Sequence, residues 1–310
     1  MNKQINGLRA LLCIFIVFYH FVFSFNNREL GFFPNPISFW GLFFVLSGYF
    51  MNLKSVKKFW LKRIVKLIIP YIISVTIILL IKLAILKNSY NVSIVDYFAN
   101  ISGLLMLSGK FDYIDGAHWY YCKLLSFFVI ASFIKVVSKV AKKDKLFDII
   151  LAVFGVAISL YYVYTMFFDG INLLNVLLDP RYLFLVFGYF LRFVFQNKKG
   201  RLSLLFLVPI LLFIYKNSFF INVFYFSFLM AVFYLCYIQK VHFLENRLFQ
   251  IVGKSSMYIY LLHQEIGYLI LGSIKPSLVS DLFVVFLMIV VGCLFTVCYD
   301  KIVEQVKKQV

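Results

Sequence analysis

Two side chains in the first apolar run carry the chemistry most worth explaining. Arg9 and His20 stand eleven positions apart in Gly-Leu-Arg-Ala-Leu-Leu-Cys-Ile-Phe-Ile-Val-Phe-Tyr-His. At the helical rise that is about 16 Å. With Arg9 at one membrane face, His20 reaches the hydrocarbon midplane, where a polar group is costly and by default a functional candidate. A neutral imidazole serves as general base near neutral pH. The competing reading is a histidine hydrogen-bonded across helices, as polar glue.

Other candidates follow along the chain. Lys54 to Lys66 forms a basic strip ending Lys62-Arg63-Ile64-Val65-Lys66, ahead of Pro70. Such a strip suits the phosphates of a nucleotide-like donor, with lysines as point charges and arginine as a fork. It equally suits a topology signal that touches anionic lipid. Gly116-Ala117-His118-Trp119-Tyr120-Tyr121 opens a later run with aromatics that serve either as an interfacial belt or as platforms for sugar faces. His263 lies about as deep in its run as His20 does in the first, with Glu265 just beyond it. The two imidazoles are therefore expected at one cavity, and a satisfied core histidine is the alternative. Arg181 is a candidate to orient an acceptor or a snorkelling interfacial residue. Asp112 and Asp115 read as solvated loop acids.

These groups need elements to hold them, and the composition says which. The chain is 63% hydrophobic and 14% charged, with a net charge of +18. Apolar runs long enough to cross a bilayer fill most of it. Ten are expected: 8–25, 37–53, 65–86, 117–137, 146–166, 176–195, 202–216, 219–238, 251–272 and 281–301. The run 97–108 is too short to span and reads as interfacial or re-entrant. The positive charge does not line one face, as a nucleic-acid partner would require. It clusters in alternate loops at Lys54–Lys66, Lys135–Lys145, Arg192–Arg201, Lys240–Lys254 and Lys301–Lys308, against only Arg28, Lys87, Lys110, Lys216 and Lys275 on the other side. By the positive-inside rule this gives an all-α polytopic bundle of about ten transmembrane helices, with both termini cytoplasmic.

Cys13, Cys122, Cys236, Cys293 and Cys298 all fall in apolar runs and read as small core residues, with no metal-ligand spacing among them. The N-terminus mimics a signal peptide but lacks a small-x-small cleavage site, so it is expected to stay as the first membrane helix. No Walker loop, Gly-x-Ser-x-Gly or His-Glu-x-x-His occurs, which argues against an ATP-driven pump, a common serine hydrolase and a zinc protease. No appended soluble domain is expected, so residues 1–310 read as one membrane-embedded unit.

The ordered set of motifs resembles the acyltransferase-3 family of integral membrane acyltransferases. The resemblance rests on Gly7-Leu8-Arg9-Ala10 with the spacing to His20, and on Phe43-Phe44-Val45-Leu46-Ser47-Gly48-Tyr49. It continues through Lys62-Arg63-Ile64-Val65-Lys66 before Pro70-Tyr71, His118-Trp119-Tyr120, Phe187-Gly188-Tyr189, and the segment Ser256 to His263. Lys66 stands where many members carry arginine. The resemblance implies a ten-helix enzyme that moves an acyl group, usually acetyl, from cytoplasmic acyl-CoA to a hydroxyl of a cell-surface polysaccharide or lipid-linked glycan. Arg9 and His20 would be its catalytic pair, and Lys62, Arg63 and Lys66 would hold the acyl-CoA. His118, Trp119, Arg181, His263 and Glu265 would serve the acceptor. No permanently bound cofactor is implied, and the setting would be a bacterial cytoplasmic membrane. A transporter or flippase for a glycan or lipid-linked sugar is the rival reading, and a membrane scaffold or sensor a third.

Overall fold

The computed structural model describes residues 2–25, 35–86, 92–103, 110–168, 172–196, 202–217 and 220–309. Among them there is no β-strand. The helices are α1 (Lys3–Ser24), α2 (Ile37–Tyr49), α3 (Val56–Leu86), α4 (Ile94–Ser102), α5 (Gly116–Val140) and α6 (Asp144–Tyr164). They continue with α7 (Asn172–Leu177), α8 (Tyr182–Phe195), α9 (Leu202–Asn217), α10 (Phe220–Tyr237), α11 (Arg247–Gly272) and α12 (Leu278–Gln309).

Nine of the ten apolar runs lie mainly on a single one of these helices, whereas 176–195 takes in the end of α7, a break at residues 178–181 and then α8. Among the described residues seven helical stretches are long and apolar enough to cross a membrane, whereas α2 and α9 are shorter apolar helices. Helix α11 is long, but Ser255, Ser256, His263, Gln264 and Glu265 lower its apolarity. Of the loop charges, Arg28, Lys87, Lys198, Lys199 and Arg201 lie outside the described residues.

Several boundaries differ from those read in sequence. Helix α2 ends at Tyr49 rather than at residue 53. Asn52 accepts from the Lys54 N–H, and Ser55 caps the next helix through the Lys58 N–H, so local side-chain bonds turn the chain there. The basic strip is itself helical and makes α3 31 residues long. The run 97–108 begins in α4, opened by a Ser93–Asp96 capping box. Its residues 104–108 lie outside the described residues. Helix α12 runs past residue 301 to Gln309. Cys13, Cys122 and Cys236 are buried, but Cys298 is exposed, which corrects its reading as a core residue.

The layering follows from which helices are apolar all round. Residues Tyr182 to Leu191 of α8 are buried without interruption, and most of α2 is too. These two helices are central, and two glycines let them meet. A Cβ at Gly48 would collide with the Leu185 carbonyl, and one at Gly188 with the Val45 carbonyl. The Leu-Ser-Gly and Phe-Gly-Tyr motifs are thus the two halves of one helix contact. The outer faces carry bare apolar side chains, among them Leu80, Val153, Leu204 and Phe286, all at least 60% exposed. A surface of that kind belongs in lipid.

Candidate active site

Helices α1 and α11 form the wall that holds both imidazoles. Gly7 meets the Leu244 backbone and Gly253 meets the Asn6 backbone with no room for a side chain, so the two segments lie close. Arg9 Nη2 donates to Ser256 Oγ at 3.0 Å, and that hydroxyl donates to the Gly253 carbonyl at 3.0 Å. Farther along the same pair of helices, the rings of His20 and His263 are 5.2 Å apart.

His20 lies on a π-helical segment, Tyr19–Ser24, that ends α1. Such segments are rare and recur at functional sites, because the wider turn re-aims a side chain. His20 Nδ1 is 3.3 Å from the Tyr268 hydroxyl, and Nε2 has no partner among the described residues. The residue is half-buried. His263 differs. It is fully buried, and its Nδ1–H donates to the Tyr260 carbonyl at 2.8 Å. Since a carbonyl only accepts, the proton of the neutral ring is on Nδ1. Its Nε2 is buried without a hydrogen-bond partner.

Arg9, His20, Tyr120 and Tyr260 are surrounded by protein yet keep accessible surface, as groups lining an interior cleft do. The Tyr120 hydroxyl meets Ser47 Oγ at 3.4 Å, and its ring packs 4.3 Å from Phe44. The Tyr260 hydroxyl donates to the Ala117 carbonyl at 2.8 Å and its ring lies 5.2 Å from that of Tyr120. A polar lining on aromatic walls therefore joins α2, α5 and α11.

The basic strip divides. Arg63 turns inward, its guanidinium 5.0 Å from the centre of the Phe59 ring and 4.7 Å from that of Phe128, within electrostatic reach of Tyr120 and Arg9. Lys62 and Lys66 are exposed. A second π-helical segment, Ile64–Ile68, follows Arg63 and carries Lys66.

At the opposite end a cavity of about 390 Å³ opens among Asn35, Trp40, Trp119, Asp179, Arg181 and Asn217. Trp40 and Trp119 meet edge to face at 5.3 Å, and the Arg181 guanidinium lies 5.1 Å from the Trp119 ring. Arg181 grips Asp179 through Nε at 2.8 Å and Nη2 at 2.6 Å, and Lys123 reaches the same carboxylate at 2.7 Å. Two aromatic faces edged by amides and charges make a surface for a ring with many hydroxyls.

His118 and Glu265 do not join that cavity. His118 is fully buried, with Nε2 at 3.3 Å from the Leu261 carbonyl. Glu265 is paired with Lys82 at 2.6 Å, and Lys82 also donates to the Ile114 carbonyl. Asp115, read as a solvated acid, is instead completely buried: its Oδ1 accepts from the Ala117 N–H and caps the start of α5. Burial pushes its carboxyl up to about 7, against the Ala117 hydrogen bond and with Glu265 adding to the rise.

With this geometry in place, the comparison with known families decides the assignment. The model of the acyltransferase domain matches residues 2–298. The chain belongs to that family. No curated protein and no solved structure matches it. The match gives the transport reading no support.

Sequence reasoning missed several residues that shape this acyltransferase's interior. Lys82 and Lys123 are lysines within apolar runs, a signal that was available. Asp179, two positions before Arg181, was another. Trp40 and Tyr268 carried no such mark, because nothing local tells an aromatic in a membrane helix which face it takes.

Proposed function

We propose that this membrane acyltransferase is an O-acetyltransferase. It takes an acetyl group from cytoplasmic acyl-CoA and gives it to a hydroxyl of a cell-surface polysaccharide or lipid-linked glycan, in a bacterial cytoplasmic membrane. The observation that carries the reading is the placing of His20. A half-buried histidine, its Nε2 without a partner among the described residues, lies on the same helix as Arg9. The lysine-rich end would face the cytoplasm, with both termini on that side.

In this reading Arg63 and Arg9 draw the donor's phosphates toward the cleft, with Lys62 and Lys66 attracting them from outside. The slim thioester arm enters between Ser47, Tyr120 and Tyr260. The acceptor ring rests on Trp119 and Trp40, with Arg181 fixed by Asp179 to orient it. His118, His263 and Glu265 then support the acceptor side from behind, through the α5–α11 contact. His20 Nε2 accepts the proton of the acceptor hydroxyl as its oxygen attacks the thioester carbonyl. The carbon–sulfur bond breaks, and the leaving thiolate takes the proton from His20, which returns to its neutral form.

The test is purified protein in detergent with acetyl-labelled acetyl-CoA and candidate glycans. Covalent label on the glycan, with no membrane gradient present, supports the proposal. Glycan movement across vesicles without any covalent change would overturn it.

A further inference from the structure

Tyr268 touches the proposed base, yet the reaction above gives it no part. Its hydroxyl lies 3.3 Å from His20 Nδ1, across 248 positions of sequence. The fold builds that contact from both sides. A Cβ at Gly267 would collide with the Phe21 ring, so the end of α1 lies directly on α11. The Tyr268 ring then packs edge to face on Phe21 at 6.0 Å and against Phe25 at 5.1 Å. The Phe25 N–H donates to the His20 carbonyl at 3.0 Å and closes the wide π-helical turn. The turn that places His20 therefore also carries a ring that holds the tyrosine.

The direction of the hydrogen bond decides what His20 can do. A phenolic hydroxyl has one proton to donate and lone pairs that accept. Ser24 also hydrogen-bonds this hydroxyl. Tyr268 can thus donate to Ser24 Oγ while it accepts from His20 Nδ1–H. In a neutral imidazole a proton held on Nδ1 leaves the lone pair on Nε2. The rival arrangement has Tyr268 donating to Nδ1, with the ring proton on Nε2. That proton would need an acceptor, and the neighbouring lone pair is Nε2 of His263, whose own proton is on Nδ1. Yet His263 Nε2 accepts nothing among the described residues, so the geometry does not hold His20 in the rival tautomer.

We infer that Tyr268 is a positioning residue, whose hydroxyl accepts the Nδ1 proton of His20 and so keeps Nε2 free to act as the base. In the reaction the acceptor's proton goes to Nε2, the imidazolium keeps its Nδ1–H bond to Tyr268, and the Nε2 proton then leaves with the thiolate. No proton moves to Tyr268. The effect on turnover rests on the transferase reading, whereas the tautomer does not.

The experiment uses the full chain in neutral detergent, with ¹⁵N-labelled histidine and nuclear magnetic resonance at about pH 8, where an ordinary imidazole is neutral. The chain has four histidines, and the His20 signals are those lost in His20→Ala. Wild type should show His20 protonated on Nδ1 and bare on Nε2. Tyr268→Phe keeps the ring contacts with Phe21 and Phe25 and removes only the hydroxyl. It should shift the His20 proton toward Nε2 and lower kcat by about tenfold, the worth of one hydrogen bond. The donor KM should change less than about threefold and the melting temperature not at all, as for an interaction made at the base alone. A wild-type His20 protonated on Nε2 overturns the inference without any variant. So does an unchanged tautomer in Tyr268→Phe, or an unchanged kcat beside active wild type. A tautomer that follows Tyr268 in a protein that transfers nothing keeps the hydrogen bond and removes the transferase reading instead.

Discussion

The imidazoles of His20 and His263 lie 5.2 Å apart with their planes tilted by 56°. They come from helices at opposite ends of the chain and have opposite surroundings. His263 is sealed and has its proton fixed on Nδ1 by the Tyr260 carbonyl. His20 is only half-buried and contacts Tyr268. In the proposed reaction His20 meets the substrate and His263 backs it.

That difference sets the first prediction. His20→Ala should cut acetyl transfer by roughly 10²–10⁴-fold, the usual worth of a general base, without lowering the melting temperature in detergent. His263→Ala should lower the melting temperature, because it empties a filled core site. Normal turnover in a well-folded His20→Ala protein would remove the proposed role.

The split of the basic strip gives the second. Arg63→Gln should raise the apparent KM for acyl-CoA about tenfold or more, since it removes an inward guanidinium held between Phe59 and Phe128. Lys62→Gln and Lys66→Gln should each shift it less than threefold at physiological salt, as expected for exposed, screened charges. Steady-state kinetics with varied donor check this, and a larger effect from either lysine contradicts it.

The glycine contact between α2 and α8 gives the third. Gly188→Val places a branched side chain against the Val45 carbonyl. Overpacking of this kind costs about 1–3 kcal/mol. The thermal transition in detergent should fall by several degrees. An unchanged transition would mean that the helices separate freely at this point.

The fourth concerns pH. Burial holds the Asp115 carboxyl at about 7 in the folded protein, above the 3.8 of an exposed aspartate. The folded state therefore keeps the proton where the unfolded chain has lost it, so stability declines as pH rises from about 4 to 7 and levels off above. The facing charges are Glu265 and Lys82, which pair with each other. Asp115→Asn keeps an oxygen for the Ala117 N–H and removes the titration. Melting temperatures from pH 5 to pH 8 should then fall less steeply in the variant than in wild type, and parallel slopes would refute the assignment.

Much of the molecule was legible in the chain because the signals are local. Run length and mean hydropathy mark the helices, since a bilayer demands about 20 apolar residues whatever their neighbours do. The Arg9–His20 offset is likewise a property of one helix. What stayed hidden was local backbone detail and side-chain direction. The π-helical segments at Tyr19–Ser24 and Ile64–Ile68 have no distinctive composition. The end of α2 at Tyr49 turned on the Asn52 and Ser55 side chains rather than on apolarity.

The sequence by itself determined that this is a bundle of apolar helices, that its basic charge clusters between apolar runs, and that an arginine and a histidine share its first helix. Only the tertiary structure decided that Arg9 meets Ser256, that His20 meets His263, that Glu265 is taken by Lys82, and that Arg63 turns inward while Lys62 and Lys66 do not. The physical reason is range. Hydropathy and helical rise are fixed within one run of residues, whereas the partner of a buried polar group is set by how helices hundreds of positions apart rotate to satisfy it.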